Sequence, residues 1–132
     1  MANELDKISK NMLSLTSSEH AIEELIKPLS REIHLFDSFV AGTSFVKDET
    51  AFEELKTGDK LVLQRESENR FDDNAIRVLD SKQRKLGYIP EKDNIIFARL
   101  MDAGKYLIAI VDSIEKKGSF RQIKIGIYLV DF

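Results

Sequence analysis

The sequence contains no cysteine. This excludes disulfides, thiolate metal ligation and a cysteine nucleophile, and it fits a reducing compartment. Histidine is scarce: His20 and His34 are the only two, and neither has a partner at metal-ligand spacing, so no metal site is expected. No motif supports a serine–histidine pair either. No apolar run approaches the roughly 20 residues of a membrane helix, and the opening MANELDKISKNML has no apolar core behind a basic start. A soluble, cytoplasmic protein without a membrane partner is expected. A basic excess is also missing. The net charge is −3 and the sequence pI about 5.5, which argues against strong nonspecific polyanion binding but leaves room for a local basic patch or an end-binding pocket. There is no GxxxxGK[ST] phosphate loop, so the chain is not itself an ATPase of that kind. No cofactor is implied.

What is present is an ordinary globular composition, 132 residues with 42% hydrophobic and 33% charged, the size of one domain with a modest appendage. The reading divides it at residue 33. Residues 1–32 form an N-terminal helical extension: Leu5, Ile8 and Met12 share one face of a first segment, and Ile22, Leu25, Ile26 and Leu29 one face of a second. Ser17 or Ser18 caps this second helix and Pro28 ends or kinks it. From 33 to 132 the pattern is mainly β. LFDSFVAG reads as a strand, and DETAFEELKTGDK as a short helix with Asp48 capping, Phe52 and Leu55 inward and Gly58 stopping it. KLVLQRE, NAIRVLD and RKLGYIP read as strands, with a polar turn at 80–83. EKDNIIFARLMDAG reads as a helix burying Ile95, Ile96, Leu100 and Met101 and ending at Gly104. YLIAIVDSI and FRQIKIGIYLVDF are two long strands around KKGS. Six strands with two inserted helices predict a small closed β-barrel, which removes exposed edges.

The stretch QRESENRFDDNAIRVLD raises a specific question, because a two-residue turn would join its strands. Asp72, Asp73 and Asn74 are good turn formers, and Arg65 and Arg77 can each pair with a carboxylate across the hairpin. One reading is a wide loop held by such bonds, with Phe71 folded onto the core. The other is a pocket wall: an aromatic ring between carboxylates and amides can stack on a base while its neighbours bond a hydroxyl or a base edge. Asn74 is expected to pin the loop.

LQRESENRFDDNAIRVLD, followed by KLGYIP and a helix, resembles the HIRAN domain family. The matching residues are Arg65, Glu66, Asn69, Phe71, Asp72, Asn74, Ala75 and Ile76, then Gly87 and Tyr88; FVAGTSF with Gly42 and TGDKLVL extend the likeness over about 33–132. The resemblance implies an OB-like barrel that recognises a single-stranded DNA 3′ end, in repair or replication-fork processing, with a helicase or nuclease as a protein partner. By the same resemblance Asp72 would accept a hydrogen bond from the 3′-hydroxyl, Phe71 would stack on the last nucleotide, and Asn69 would line the pocket. Phe45 would pack against a base, with Ser44, Tyr88 and Lys92 nearby. Eukaryotic members have an arginine where Ser44 stands and a basic residue where Pro90 and Glu91 stand, with Lys92 one step later.

Two rivals remain at this stage. One is a protein-interaction module with a vestigial pocket. The other is a metal-dependent phosphodiester hydrolase built on Glu66, Glu68, Asp72, Asp73, Asp80, Glu91 and Asp93; adjacent Asp72 and Asp73 point to opposite sides of an extended segment, so their spacing alone builds no two-metal site. Lys116, Lys117, Arg121 and Lys124 crowd the last hairpin, beside Phe120 at its tip, and Arg84 and Lys85 sit in another; these cations would serve as phosphate contacts if the fold carried them to the pocket rim.

Overall fold

The computed structural model describes residues 31–131, so the expected N-terminal helices lie outside the described residues. Glu32–Val130 form one compact unit. In chain order its elements are β1 (Arg31–Phe39), a 3-10 turn (Thr43–Phe45), α1 (Thr50–Glu54), β2 (Lys60–Arg65), β3 (Ile76–Leu79), β4 (Lys85–Tyr88), α2 (Glu91–Asp102), β5 (Leu107–Lys117) and β6 (Phe120–Asp131). β1 thus begins two residues before the expected boundary at 33. The strands form one sheet in the order β1-β6-β5-β2-β3-β4. Among the described residues no helix is long and apolar enough to cross a membrane.

Alternation decides which face is covered. Leu61 and Leu63 of β2, and Ile123, Ile125 and Ile127 of β6, point inward at every second position, as the pleat requires. Phe52 and Leu55 from the α1 region join the same core. The N-cap of α1 is Glu49, without a side-chain cap bond, and not the expected Asp48, which stands one position earlier and accepts the Thr50 N–H at 3.0 Å through Oδ1. The turn at 80–83 is held by Asp80 Oδ1, which accepts from the N–H groups of Lys82 and Arg84.

α2 packs differently from the expectation. Ile95 and Ile96 are 51% and 68% exposed, whereas Asn94, Phe97 and Ala98 are buried and Leu100 and Met101 only lean on the core. The inward stripe runs 94, 97, 98, 101, a proper three-and-four spacing that opens on an asparagine. Ile95 and Ile96, expected inward, fall outside this stripe on the solvent side of the helix.

The sheet does not close into the expected barrel. Its edge strands β1 and β4 share no ladder. They meet through one isolated bridge just beyond β1, where the Ala41 N–H donates to Tyr88 O at 2.8 Å and the Tyr88 N–H to Ala41 O at 2.9 Å. The reason is local: Gly42 turns left-handed (φ 74°) and starts the 3-10 turn, so the chain leaves strand geometry after one pair. At this crossing the Ala41 backbone lies directly on Gly87. A β-carbon added there would stand 2.2 Å from Ala41 O and 2.8 Å from Val40 Cγ1.

Gly87→Ala must therefore push the crossing apart. We expect a loss of about 1–3 kcal/mol or more, as for overpacking elsewhere, read as a lowered thermal midpoint with separated Ala41 and Tyr88 amide resonances. An unchanged midpoint would show that the crossing yields freely.

Candidate functional site

The loop between β2 and β3 is built from its own side chains. Asn69 Oδ1 accepts the N–H groups of Phe71 at 2.9 Å and Asp72 at 3.1 Å. Asp72 Oδ1 in turn accepts the Asn74 N–H at 2.9 Å. These are the Asx-type bonds that make Asn and Asp turn residues. The pins are thus the side chains of Asn69 and Asp72; Asn74, expected in that role, contributes its backbone N–H.

Arg65 anchors the loop from below. Its guanidinium donates to Ala75 O at 2.8 Å, to Asp73 O at 3.0 Å, and by a two-pronged contact to Asp102 at 2.9 and 3.1 Å. Its carboxylate partner therefore lies at the end of α2 and not across the hairpin. Arg65 holds the Asp102 carboxyl below the usual aspartate range. Arg77 bonds Gln64 on the neighbouring strand and stands 3.9 Å from Glu66.

A second network fixes Asn69. The Tyr88 hydroxyl, hydrogen-bonded to Glu66, is the main cause holding the Glu66 carboxyl below the ordinary glutamate range; burial opposes it, and Asn69, Arg77 and Lys85 assist. Glu66 Oε1 accepts from Asn69 Nδ2 at 3.4 Å. Lys85 Nζ donates to the Tyr88 hydroxyl at 3.2 Å. A chain of contacts thus runs Lys85–Tyr88–Glu66–Asn69 and sets which way the Asn69 amide faces.

These pieces surround a groove of about 710 Å³. Five of the seven residues singled out in the sequence line it: Asn69, Phe71, Asp72, Phe45 and Tyr88. The two phenylalanines are almost bare, Phe45 87% and Phe71 95% exposed. The reading in which Phe71 folds onto the core fails, because Asn69 holds the Phe71 N–H in the turn and leaves the ring outside. Ser44 is exposed in the 3-10 turn but does not line the groove. Lys92 does not line it either; its Nζ sits over the Phe39 ring, 5.6 Å from the centroid. The cations of the last hairpin also stay away: Arg121 is 5.0 Å over the Phe52 ring, and neither it nor Lys116, Lys117, Lys124 or Phe120 lines the groove. Among the described residues no three His, Asp or Glu side chains stand together as metal ligands do.

One lining residue escaped the sequence reading. Asn94, 1% exposed at the start of α2, donates from Nδ2 to Asp72 Oδ2 at 2.7 Å, and its own Oδ1 has no protein partner. Each Asp72 oxygen thus accepts one hydrogen bond and keeps a further lone pair. The signal was a polar residue at the head of the 94, 97, 98 stripe.

A family model, the HIRAN domain, matches residues 33–130. The chain belongs to the HIRAN domain family. Similar solved structures agree. A crystal structure of a protein from Lactobacillus plantarum is 32% identical, covers 78% of this chain and 99% of its own, and has a TM-score of 0.73. The crystal structure of the HIRAN domain of human HLTF is 18% identical, over 77% of this chain and 79% of its own, TM-score 0.63. The HLTF HIRAN domain in its DNA-bound conformation, solved by NMR, is 18% identical, over 74% and 78%, TM-score 0.52. No curated protein sequence matches the chain. The six-stranded antiparallel sheet with two helices is the HIRAN fold.

Glu66→Ala leaves Asn69 Nδ2 without its partner and the Tyr88 hydroxyl with only the bond from Lys85 Nζ. The amides of Phe71 and Asp72 should then exchange with solvent at least several-fold faster, as measured by NMR, while β6 amides stay unchanged. In the wild type a group with a lowered folded pKa contributes above its unfolded pKa and loses that contribution as pH falls through the folded value. The loop should hold at neutral pH and loosen only below the ordinary glutamate range. Loosening near pH 6 would contradict this role of Glu66.

Proposed function

We propose that this groove holds the free 3′ end of single-stranded DNA, without catalysing a reaction, in the service of DNA repair or fork processing. The observation that carries the reading is the pair of bare rings, Phe45 and Phe71, on either side of a groove with Asp72 and Asn94 at its polar wall. A bare ring offers a face to any base, and stacking contributes roughly 1–3 kcal/mol per base without a basic surface. The groove volume falls within the range of small-ligand sites. The HLTF relative has a DNA-bound conformation, which supports the same ligand class here.

Asp72 gives the reading its end preference. Its oxygens, each already accepting one bond, can accept another from a hydroxyl. A phosphate at the same place would bring like charges together, which is unfavourable. An internal nucleotide carries a phosphate on its 3′ oxygen; a terminal one carries a hydroxyl. The carboxylate therefore discriminates an end from an interior by charge alone. Asn94 lines the same groove, and its buried Oδ1 has no hydrogen-bond partner.

Fluorescence anisotropy at low salt tests this with short labelled oligonucleotides ending in a 3′-hydroxyl or a 3′-phosphate. The hydroxyl end should bind more tightly. Phe71→Ala should weaken it by about 5- to 150-fold, the equivalent of one stacked base. Asp72→Asn should narrow the gap between the two ends, since an amide carries no charge. Equal binding of both ends by the wild type would sink the reading.

A further inference from the structure

The groove does not end at Phe45. A second depression of about 350 Å³ adjoins it, and Gly42, Phe45 and Tyr88 border both. Its character is opposite. Three cations line it, Lys47, Arg84 and Lys85, against one carboxylate, Asp48.

The existing partners of these groups decide which are free to act. Arg84 is committed: Nε bonds Asp80 Oδ2 and Nη2 bonds Glu54 Oε2, both at 2.7 Å. Asp48 is committed to Thr50. Lys47 is exposed and has no hydrogen bond or ion pair among the described residues. Lys85 is exposed, and its Nζ touches only the Tyr88 hydroxyl and ring face, the latter at 4.5 Å. Two ammonium groups that make no ion pair among the described residues therefore line a trough that adjoins the groove, past an exposed ring, with Glu66 acting on Lys85 only from a distance.

The geometry points to a second subsite: the trough holds a backbone phosphodiester of the strand whose 3′-terminal nucleotide lies in the groove. This rests on the end-binding reading and adds the path of the strand. With the terminal base at Phe71, the next nucleotides pass Phe45 and Tyr88, and the strand's phosphates reach Lys47 and Lys85. The hydroxyl lies by Asp72 and the phosphates by the lysines, so the charge pattern fixes polarity.

A salt titration of hexathymidylate with a free 3′-hydroxyl tests it. Three full-length proteins are compared: wild type, Lys47→Ala/Lys85→Ala, and Lys116→Ala/Lys117→Ala, which removes the same charge from the tip of the β5–β6 hairpin. For single strands each phosphate contact contributes about 0.7 to the slope of log K on log salt. The trough variant should flatten the slope by about 1.4, so that its deficit shrinks roughly sevenfold between 50 and 200 mM salt. The hairpin variant should keep the wild-type slope. All four replaced side chains are exposed, so their removal leaves the core untouched, and equal thermal midpoints confirm the fold. Equal slopes for the wild type and the trough variant, or equal flattening in both variants, overturn the subsite while leaving the groove reading standing. Failure of the wild type to bind the oligonucleotide at 50 mM salt overturns both. Wild-type hydroxyl-end binding by Phe71→Ala and an undiminished preference for the hydroxyl end in Asp72→Asn, with the slope still flattened in the trough variant, overturn the groove reading and leave the lysines as phosphate contacts only.

Discussion

The peptide of Ala41 lies so close over Gly87 that its carbonyl oxygen would stand 2.2 Å from a β-carbon at that position. The two hydrogen bonds made there join the segment after β1 to the far edge of the sheet. They carry the 3-10 turn, and with it Phe45, to the side of the sheet where the β2–β3 loop stands. Tyr88 takes part in the same bridge with its backbone and in the Glu66 network with its side chain. One residue pair thus sets the spacing of both groove walls. A single bridge suffices where a full ladder would not serve: continued pairing of β1 with β4 would carry strand geometry through 42–45 and flatten the turn that lifts Phe45 clear.

The loop on the other wall is rigid for a separate reason. Ordering a residue's backbone costs about 1–2 kcal/mol, and a bare ten-residue connection, 66–75, would carry that cost with little in return. Here Asn69 and Asp72 close internal turns, and Arg65 ties two loop carbonyls to the end of α2. Phe71 remains bare because its backbone is held, not because its ring lacks a place to go. A ring held outside water-excluding contacts costs stability, so the fold tolerates Phe71 and Phe45 at the expense of hydrophobic burial.

Much of this was legible in the residues. The apolar runs LVL, YLIAIV and IKIGIYLV marked β2, β5 and β6, and Gly, Asp and Pro marked turns between strands. The family resemblance marked Asn69, Phe71 and Asp72 as a groove wall. Three things were not legible. Closure of the sheet depends on where the chain leaves β1, which is set by a contact between residues 41 and 88 that no local pattern encodes. The inward face of α2 begins with Asn94, and hydrophobic periodicity is blind to a buried amide whose partner, Asp72, is 22 positions away. The place of Lys92, set beside the groove only by the family resemblance, is over the Phe39 ring of β1, a contact between distant residues that no local pattern encodes.

The acidic balance of the whole chain and a nucleic-acid ligand are compatible once charge is considered locally. A net charge of −3 weakens long-range attraction of a polyanion, and salt screens what remains over about 10 Å at 0.1 M. Inside that range the arrangement matters more than the sum. A uniformly basic surface would bind a strand anywhere along its length and in either direction. A carboxylate at one end of a short path and two unpaired ammonium groups at the other favour one register only, with an uncharged hydroxyl against the acid and phosphates against the bases. On the proposed reading the low overall charge then serves the specificity: it removes the nonspecific background against which a single strand end must be found.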